Sequence, residues 1–421
     1  MNADIAIVGG GASGLIAAVE SKRLLPGADV AVIERLDRAG KKLLATGNGR
    51  CNLGNTNISA ENYHGSFYDT MRIINSTPLA EEYFRSLGLL CVSDAQGRLY
   101  PRSNAAASVL SALRLRAQDL GVKELCGEFV KDIEHSRSGY RLICENGDTV
   151  ACRRVIIAAG GCAAPQFGTD GTMLGILRGM GYKITKLTPA VAPLRVRPEL
   201  LKGLKGVRVK GKVSAVCGGK VLAEEHGEIQ FTENSLSGIC VFDLAHFYAR
   251  CGDRLVIRAD LAPDMTREEL VSYLEDVSKQ RALHTVEELL SGVFTKNLAV
   301  YLVKTTLSRA MTDKISSLRR DELLWLAERI KQCEFPVLGS APWKNAQTTS
   351  GGIHRDCVGD DLESRLDRGI YFCGEILDVD GNCGGYNLQW AWSSGITAAR
   401  SCARSLKGKG NDKSSKHKRT S

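Results

Sequence analysis

Apolar and polar residues near the amino terminus follow the order strand, turn, helix, strand. Asp4 is followed by an apolar run, residues 5–8, then a glycine-rich turn, and small apolar residues continue to about residue 19. A second apolar run, residues 30–33, ends in Glu34. Short apolar runs bounded by glycine are typical of buried strands in a parallel sheet. The pattern therefore predicts a βαβ unit at the start of the chain.

The next part of the chain shows both periodicities. Residues 79–87 and 103–120 have apolar positions at helical spacing, and Gly121 ends the second of these helices. Period-two alternation then predicts an antiparallel ribbon, which runs into an apolar strand at residues 154–161 that ends in paired glycines. Such a strand belongs in the centre of a parallel sheet, with a ligand at its carboxyl end.

The pattern of apolar and polar residues changes after Pro189, and the pattern of the amino-terminal part returns near the carboxyl end. Short β segments with glycines indicate a small antiparallel or barrel-like module, and a leucine-rich helical section follows, opened by a capping box of Thr266 and Glu269. We predict an α/β fold in which a Rossmann-like domain, formed by both chain ends, carries two inserted modules. The predicted boundaries are 1–188 and 336–406 for the Rossmann-like domain, 189–262 for the β module, 263–335 for the helical module and 407–421 for a tail.

Charge changes this picture only at the tail. The chain has 421 residues and a formal net charge of +9, and its last fifteen residues contain six basic side chains and one acidic one. A Gly/Lys/Ser-rich end of this kind is expected to be disordered and to keep the chain in solution. No apolar run is long enough to cross a bilayer, and the first strand begins at Asp4, so we expect a cytoplasmic protein without a membrane span.

Cysteine and histidine usage argues against metal chemistry. None of the fourteen cysteines is spaced as Cys-x-x-Cys, which excludes zinc-ribbon, iron–sulfur and thioredoxin-type patterns. The seven histidines form no ligand pattern either. We expect reduced thiols that pack as small apolar groups, and no bound metal.

The glycine turn carries the first chemical indication. In Gly9-x-Gly11-x-x-Gly14, the first glycine permits the sharp turn, Gly11 lets a pyrophosphate approach the backbone, and Gly14 lets helix and strand pack closely. Glu34 follows Gly14 by twenty residues, where an acid binds the ribose hydroxyls and repels a 2′-phosphate. The sequence predicts an adenine dinucleotide of the FAD or NAD type and excludes NADP as the resident cofactor.

A second element favours FAD over NAD. Residues 369–375 read as a strand ending in Gly374-Glu375, and a glycine loop and a small-residue helix follow. In flavin sites such an acid binds the ribitol chain, and the helix amino terminus stabilises negative charge on the pyrimidine edge. We therefore predict that the Rossmann-like domain is a FAD-binding domain of the glutathione-reductase type. No second Gly-x-Gly-x-x-Gly follows a strand, so we expect NAD(P)H only as a transient donor.

Six segments together resemble the BaiN-like flavoprotein family over nearly the whole chain. They are residues 9–14, 45–52, 158–161, 231–238, 349–353 and 374–391. The resemblance implies FAD bound between the two chain ends, with the inserted modules forming the far wall of a substrate cleft. Many family members have Gly-Pro where this chain has Gly238-Ile239, a difference that does not affect the flavin site.

Matching to the family's flavin motifs implies a set of cofactor-binding residues. Gly160 belongs to the glycine pair after the central strand, and Val130 is expected to contact adenine through its backbone. The full set is Gly9, Gly11, Ala12, Ser13, Gly14, Glu34, Arg35, Lys42, Thr46, Gly47, Val130, Gly160, Gly374, Glu375, Gly385, Tyr386 and Asn387.

Three residues are candidates for chemistry. Cys51 lies in the segment 45–52, which is expected to lie near the flavin. A redox thiol there needs an activating cation, for which Arg50 is available, or a resolving partner, for which Cys383 is available. Tyr100 and Arg102 are suited to polarise a carbonyl or bind a carboxylate. Packing of Cys51 and a purely structural loop at Tyr100 and Arg102 are the competing interpretations.

The resemblance implies hydride transfer through flavin N5. We expect reduction of a conjugated C=C bond, an oxidoreductase acting on CH–CH groups, with a 3-oxo bile-acid or steroid enone as substrate and a nicotinamide as ultimate donor. The first alternative is oxidation of an aminoacetone-like amine with O₂. A third hypothesis is a flavoprotein that binds RNA or a partner through its basic tail, although we expect a small-molecule substrate rather than nucleic acid.

Overall fold

The computed structural model describes residues 1–414, with side chains described through Lys407. Of the predicted tail, residues 407–421, the backbone of 407–414 is described and continues the last helix, whereas 415–421 lie outside the described residues. The chain divides into two compact units, one formed by residues 1–188 and the chain from Gln347 onward, the other by residues 189–346. Within residues 1–414, no helix is both long enough and apolar enough to cross a membrane.

The first unit contains strands and helices from both ends of the chain. Its strands are β1 (Asn2–Val8), β2 (Val30–Glu34), β3 (Gly54–Asn55), β4 (Tyr63–Gly65), β5 (Cys91–Ser93), β6 (Arg98–Pro101), β7 (Lys123–Cys126), β8 (Val130–Ser136), β9 (Gly139–Cys144), β10 (Thr149–Ile157), β18 (Thr348–Ser350), β19 (Ile370–Phe372) and β20 (Val379–Gly381). Its helices are α1 (Ala12–Leu24), α2 (Lys41–Ala45), α3 (Thr70–Asn75), α4 (Ala80–Ser86), α5 (Ala106–Asp119), α6 (Thr172–Gly179) and α12 (Tyr386–Ser414).

A seven-stranded sheet organises this unit. Its order is β7-β2-β1-β10-β9-β8, and β19 also pairs with β10. β1 pairs in parallel with β2 and β10, and β10 pairs in parallel with β19, whereas β9 joins β10 antiparallel. The carboxyl ends of β1, β2, β10 and β19 therefore meet at one edge, which is where an open α/β sheet binds its ligand. This is the Rossmann-type arrangement that the sequence predicts.

Two long-separated helices pack together over this sheet. A Cβ added at Gly395 of α12 would lie 2.5 Å from Ile16 Cγ2 of α1, so the glycine permits the close approach. Trp392 of α12 is fully buried, stacks edge-on against Phe84, and donates its indole N–H to the Leu53 carbonyl. Burying an indole with its one donor satisfied stabilises the fold without a polar penalty. The carboxyl-terminal helix is thus part of the amino-terminal core.

The second unit is a closed barrel with helices inserted before its last strand. Its strands are β11 (Thr188–Ala190, at the boundary), β12 (Leu194–Val196), β13 (Arg208–Cys217), β14 (Lys220–Phe231), β15 (Ser235–Ser237), β16 (Leu255–Asp260) and β17 (Cys333–Ser340), and the barrel order is β12-β15-β14-β13-β16-β17. Its helices are α7 (Ile239–Leu244), α8 (Phe247–Cys251), α9 (Arg267–Gln280), α10 (Lys296–Thr306) and α11 (Arg320–Lys331).

The barrel and its helices share one apolar core. Phe231 and Phe335 from the barrel and Leu274 and Leu326 from the helices belong to the same buried cluster. The predicted capping box opens α9, where Thr266 Oγ1 accepts from the Glu269 backbone N–H. The helical section is therefore not a separate layer, because β17 returns after it to close the barrel.

Candidate functional site

The glycine turn between β1 and α1 leaves space at one of its three glycines. A Cβ added at Gly14 would lie 1.9 Å from the Gly9 carbonyl oxygen, and Gly9 itself has φ 105°. A Cβ added at Gly11 would meet nothing within 4 Å. Gly14 is therefore required for packing within the protein, whereas Gly11 faces open space in which a pyrophosphate fits.

The first turn of α1 has no capping or acidic side chain of its own. Gly11 provides no side-chain cap, and the turn contains no acidic residue. Ala12 and Ser13 are the first helical residues, and their backbone N–H groups point out of the helix end. The free donors and the positive end of the helix dipole suit a phosphate at this place.

Glu34 is held at the end of β2 beside the glycine turn. Its Oε2 accepts from the Gly10 N–H at 2.8 Å and its Oε1 from the Leu36 N–H at 2.9 Å. Each oxygen keeps a second lone pair, so the carboxylate can still accept from two ribose hydroxyls. The neighbouring Arg35 forms an ion pair with Asp170 at 2.8 Å and stacks on the Phe129 ring.

The other predicted adenine contact lies on the adjacent ribbon. Val130 is buried at the start of β8, and its backbone pairs with Cys144 of β9. It directly follows Phe129, on which Arg35 stacks, so the structure brings it near the end of β2. Only its main chain is suited to contact a base there.

An ion pair joins two of the predicted flavin residues. Lys42 Nζ lies 2.7 Å from Glu375 Oε2, and the Thr349 N–H donates to Glu375 Oε1 at 3.0 Å. Thr349 in turn accepts, through Oγ1, from the N–H groups of Cys162 and Ala163, directly after the glycine pair Gly160-Gly161. Four chain segments thus meet at one carboxylate. Sequence reasoning missed Thr349 as a site residue, although its motif was part of the family pattern.

The loop after α2 holds an acceptor that lacks a donor. Asn52 Oδ1 is buried and has no hydrogen-bond partner among the described residues. It lies 2.7 Å from the position of a Cβ added at Gly385, so the loop 46–52 and the start of α12 are in contact. A flavin N–H group would satisfy this oxygen. Thr46 and Gly47 shape the loop, since Thr46 Oγ1 donates to the Leu43 carbonyl and Gly47 has φ 57°.

The start of α12 is also built by its own side chains. Asn387 Oδ1 accepts from the Gly381 N–H at 2.8 Å, and its Nδ2 donates to the Gly381 carbonyl at 2.7 Å. Tyr386 donates its hydroxyl to the Asn57 carbonyl, and a Cβ at Gly385 would lie 2.2 Å from the Gly54 carbonyl oxygen. The first turn carries no acidic residue, so its N–H groups and dipole suit a negative pyrimidine edge.

A buried acid lies next to this cluster. Asp380 is 1% exposed, and its Oδ1 has no partner among the described residues. Burial raises the pKa of this carboxyl to about 7, the Ser350 hydroxyl lowers it, and Asp378 and Glu375 raise it further. Sequence reasoning did not select Asp380 as a site residue, because nothing local indicates that its carboxyl lies in the protein interior.

The three candidates for chemistry fare differently. Cys51 is fully buried, and burial raises the pKa of its thiol to about 12, so it does not form the thiolate that a redox role needs. Tyr100 lies beside the loop 46–52, with its Cε1 3.8 Å from a Cβ added at Gly47. Arg102 is exposed, beyond the end of β6. The packing interpretation therefore fits Cys51 better, and of the other two only Tyr100 adjoins the loop.

These contacts fit FAD. An open glycine turn, an uncapped helix, an acid at the end of β2 and an orphaned acceptor near a second helix start all lie in the first unit. Gly374, whose added Cβ would lie 2.4 Å from Ser13 Oγ, brings the second strand end directly against α1. Among residues 1–414, no group of three or more His, Cys, Asp and Glu side chains is arranged to hold a metal ion.

Comparison with known proteins gives a whole-length match. Residues 3–401 match the family described as HI0933-like protein Rossmann domain. The chain is 37% identical to the 3-dehydro-bile acid delta(4,6)-reductase of Clostridium scindens, over 95% of this chain and 98% of that protein.

More distant relatives carry a different description. The ribosomal RNA dihydrouridine synthase of Escherichia coli is 27% identical over 96% of this chain and 98% of its own length. Among solved structures, a 3-ketosteroid delta1-dehydrogenase from Sterolibacterium denitrificans aligns with a TM-score of 0.51 at 14% identity, covering 96% of this chain and all of that one. At that identity the likeness concerns the fold alone.

Proposed function

The chain belongs to the HI0933-like Rossmann family and is a flavin-dependent oxidoreductase, and we propose that it reduces a C=C bond conjugated to a carbonyl. The first substrate class is a 3-oxo steroid or bile-acid enone, with a nicotinamide as the ultimate electron donor. The proposal rests on the relative that is 37% identical over 95% of this chain, because its name, 3-dehydro-bile acid delta(4,6)-reductase, describes this chemistry.

The residues of the first unit have separable tasks in this reaction. The amino terminus of α1 and Glu34 would bind the pyrophosphate and the adenosine ribose. Glu375, oriented by Lys42 and by the Thr349 N–H, would bind the ribitol chain. The amino terminus of α12 would stabilise negative charge on the pyrimidine edge.

Bound FAD would supply a hydride from N5 to the carbon β to the carbonyl, while the α carbon takes a proton. The protein must therefore orient the enone, exclude water and provide a proton donor. Tyr100, beside the loop 46–52, is a donor candidate within the first unit.

A second candidate function is reduction of uracil in ribosomal RNA. The 5,6 double bond of uracil is conjugated to a carbonyl, as the steroid enone is, so one flavin chemistry serves both. An exposed basic segment in the second unit favours it, since residues 195–212 carry seven basic side chains and one acidic one. Arg197, Lys202 and Lys210 of this segment are exposed and make no ion pair within the described residues. Such a segment suits a phosphate backbone.

One anaerobic experiment tests the proposal. Flavin absorbance of the purified holoenzyme is followed with NADH or NADPH, and then with a 3-oxo-4,6-dienoyl bile acid. Bleaching by the nicotinamide and recovery on adding the dienone are the expected results. Recovery with an unmodified ribosomal RNA fragment, and not with the dienone, would assign the second function.

Aminoacetone serves as the discriminating control. Bleaching of the flavin by aminoacetone, without any response to nicotinamides, would instead show amine oxidation. In that case both reductase proposals are wrong.

A further inference from the structure

Arg50 is held over an aromatic ring beside the loop 46–52. Its guanidinium carbon lies 5.0 Å from the centroid of the Tyr100 ring, and its Nε donates to the Gly47 carbonyl at 3.3 Å. The two terminal nitrogens have no hydrogen-bond or ion-pair partner among the described residues. A stacked and singly bonded guanidinium thus presents its remaining donors outward from a fixed position.

This arrangement adjoins both loops that are predicted to lie along the flavin. Asn52, which follows Arg50 in the loop, contacts Gly47 and Gly385. On the other side, Asn55 pairs in register with Arg98 of β6 and donates to the Gly384 carbonyl at 2.9 Å. The strand that carries Tyr100 is therefore connected to the start of α12 as well as to the loop 46–52.

The local charge is uncompensated. Arg98 pairs with Asp94 at 2.7 Å, so its charge is neutralised. Arg102 follows Tyr100 by two residues, is exposed and makes no ion pair among the described residues. Arg50, over the Tyr100 ring, and Arg102, two residues further along the chain, are therefore cations without an acidic partner among the described residues. An exposed cation that is stacked but unpaired is suited to an anion that arrives with a ligand.

The loop keeps Arg50 in place at a conformational cost. Asn48 and Cys51 both have positive φ, 55° and 58°, although neither is glycine. The Cys51 N–H donates to the Thr46 carbonyl at 3.0 Å, and the buried Cys51 side chain fastens the loop to the core. Cys51 thus fixes the backbone next to Arg50, whose side chain contacts the Gly47 carbonyl and the Tyr100 ring.

We propose that Arg50, stacked on Tyr100, is a substrate-binding residue that binds an anionic group of the substrate. The substrate class is accordingly a conjugated enone that carries a carboxylate or a phosphate, and not a neutral ketone. The inference rests on the proposed reduction of an enone. Arginine suits the role because its planar fork binds either anion through two parallel hydrogen bonds.

The test compares an acid with its ester. KM is measured for a 3-oxo-4,6-dienoyl bile acid and for its methyl ester, which has the same reacting bonds but no charge. The wild-type enzyme should prefer the acid, and Arg50→Ala should lose about tenfold of that preference. Arg50→Lys should retain only part of it, because an ammonium lacks the planar fork. Arg137→Ala, at an exposed turn between β8 and β9, is the matched control and should keep the full preference.

A second arm identifies the anion. Perturbation of the oxidised flavin spectrum is titrated with uridine 5′-monophosphate and with uridine, in wild type and Arg50→Ala. Discrimination by charge in this arm alone assigns the phosphate, and discrimination in the bile-acid arm alone assigns the carboxylate.

Two results would overturn the inference. One is an unchanged preference for the charged compound in Arg50→Ala in both arms. The other is loss of FAD from Arg50→Ala, which would make Arg50 a cofactor ligand. If the wild-type enzyme reduces neither acid nor ester, the proposed reaction is wrong, yet the spectral titration still decides whether Arg50 binds an anion.

Discussion

Lys42 and Glu375, which are 333 residues apart in the chain, form an ion pair with an Nζ–Oε2 distance of 2.7 Å. Both side chains are only about one-fifth exposed, at 21% and 20%. The pair joins α2 to the strand end after β19, and is thus one of the contacts through which the two ends of the chain meet. Folding of both ends is therefore required before the predicted ribitol site exists.

Glu375→Gln should weaken FAD binding by about tenfold or more, because Lys42 loses its charged partner and the ribitol hydroxyls lose a charged acceptor. Lys42→Met should weaken binding as well, and the double variant should lose less than the sum of the two changes. FAD affinity is measured by fluorescence quenching on titrating the apoprotein. Lys41→Ala is the control, since Lys41 pairs with the exposed Asp37 and should bind FAD normally. Additive losses would show that the ion pair contributes nothing to the site.

Gly11→Ala and Gly14→Ala should separate binding from folding. The methyl group at Gly11 meets nothing within 4 Å, so the apoprotein should fold with nearly unchanged melting temperature while FAD affinity falls. The methyl group at Gly14 would lie 1.9 Å from a backbone oxygen, and the variant should be destabilised by about 3 kcal/mol or more. Circular dichroism melts of the apoproteins and FAD titrations measure the two effects. Full FAD affinity in Gly11→Ala would show that the pyrophosphate does not bind at this turn.

The sequence predicts these local elements because their causes are local. The glycine turn, Glu34 and the strand ending in Gly374-Glu375 each depend on residues that are close in the chain, and the sheet they predict is present. The barrel is different. β17 crosses residue 335, at which the sequence analysis ended the helical module, because its identity as a barrel strand depends on pairing with β12 and β16. β17 has only eight residues and contains Pro336, so the periodicity of its own sequence does not show with which strands it pairs.

The missed site residues have the same explanation. Thr349 and Asn52 carry no chemistry that distinguishes them from ordinary loop residues. Their importance arises from contacts with Glu375 and Gly385, which come from distant parts of the chain. The sequence around Asp380 is typical of an exposed loop carboxylate, but in the structure its side chain is buried.

Asp380→Asn should raise the melting temperature by an amount that depends on pH. The unfolded carboxyl titrates near its ordinary value of 3.8, whereas burial raises the folded pKa to about 7. Between these values the folded protein holds more protons than the unfolded chain, so the free energy of unfolding decreases as pH rises. The amide carries no such penalty, and its advantage in melting temperature should grow from pH 4 to pH 7 and then level off.

Thermal melts of wild type and Asp380→Asn across this pH range measure the effect. The groups that face Asp380 include Glu375 and Asp378, and His64 on the paired strand β4. Asp37→Asn is the control because Asp37 is exposed and Lys41 lowers its pKa. A constant difference between wild type and Asp380→Asn at every pH would mean that Asp380 does not titrate in the folded protein.

Two arginines share Asp69 and should differ in their contribution to stability. Arg355 donates to both oxygens of Asp69, through Nε at 3.1 Å and Nη2 at 3.0 Å, and its side chain is 7% exposed. Arg72 bonds the same carboxylate but is 51% exposed. Without Arg355, the largely buried Asp69 carboxylate keeps only the half-exposed Arg72 as a partner, so Arg355→Ala should cost about 3–5 kcal/mol of unfolding free energy. Arg72→Ala should cost about 1 kcal/mol or less, as exposed ion pairs do.

Urea unfolding of the two variants, followed by tryptophan fluorescence, measures this difference. The double variant Asp69→Asn, Arg355→Met separates the charge from the packing. It should recover part of the loss of Arg355→Ala, because no incompletely paired carboxylate is then left inside the protein. Equal losses for Arg72→Ala and Arg355→Ala would mean that water reaches Asp69 in the folded state. Burial of the guanidinium would then contribute nothing beyond a surface ion pair.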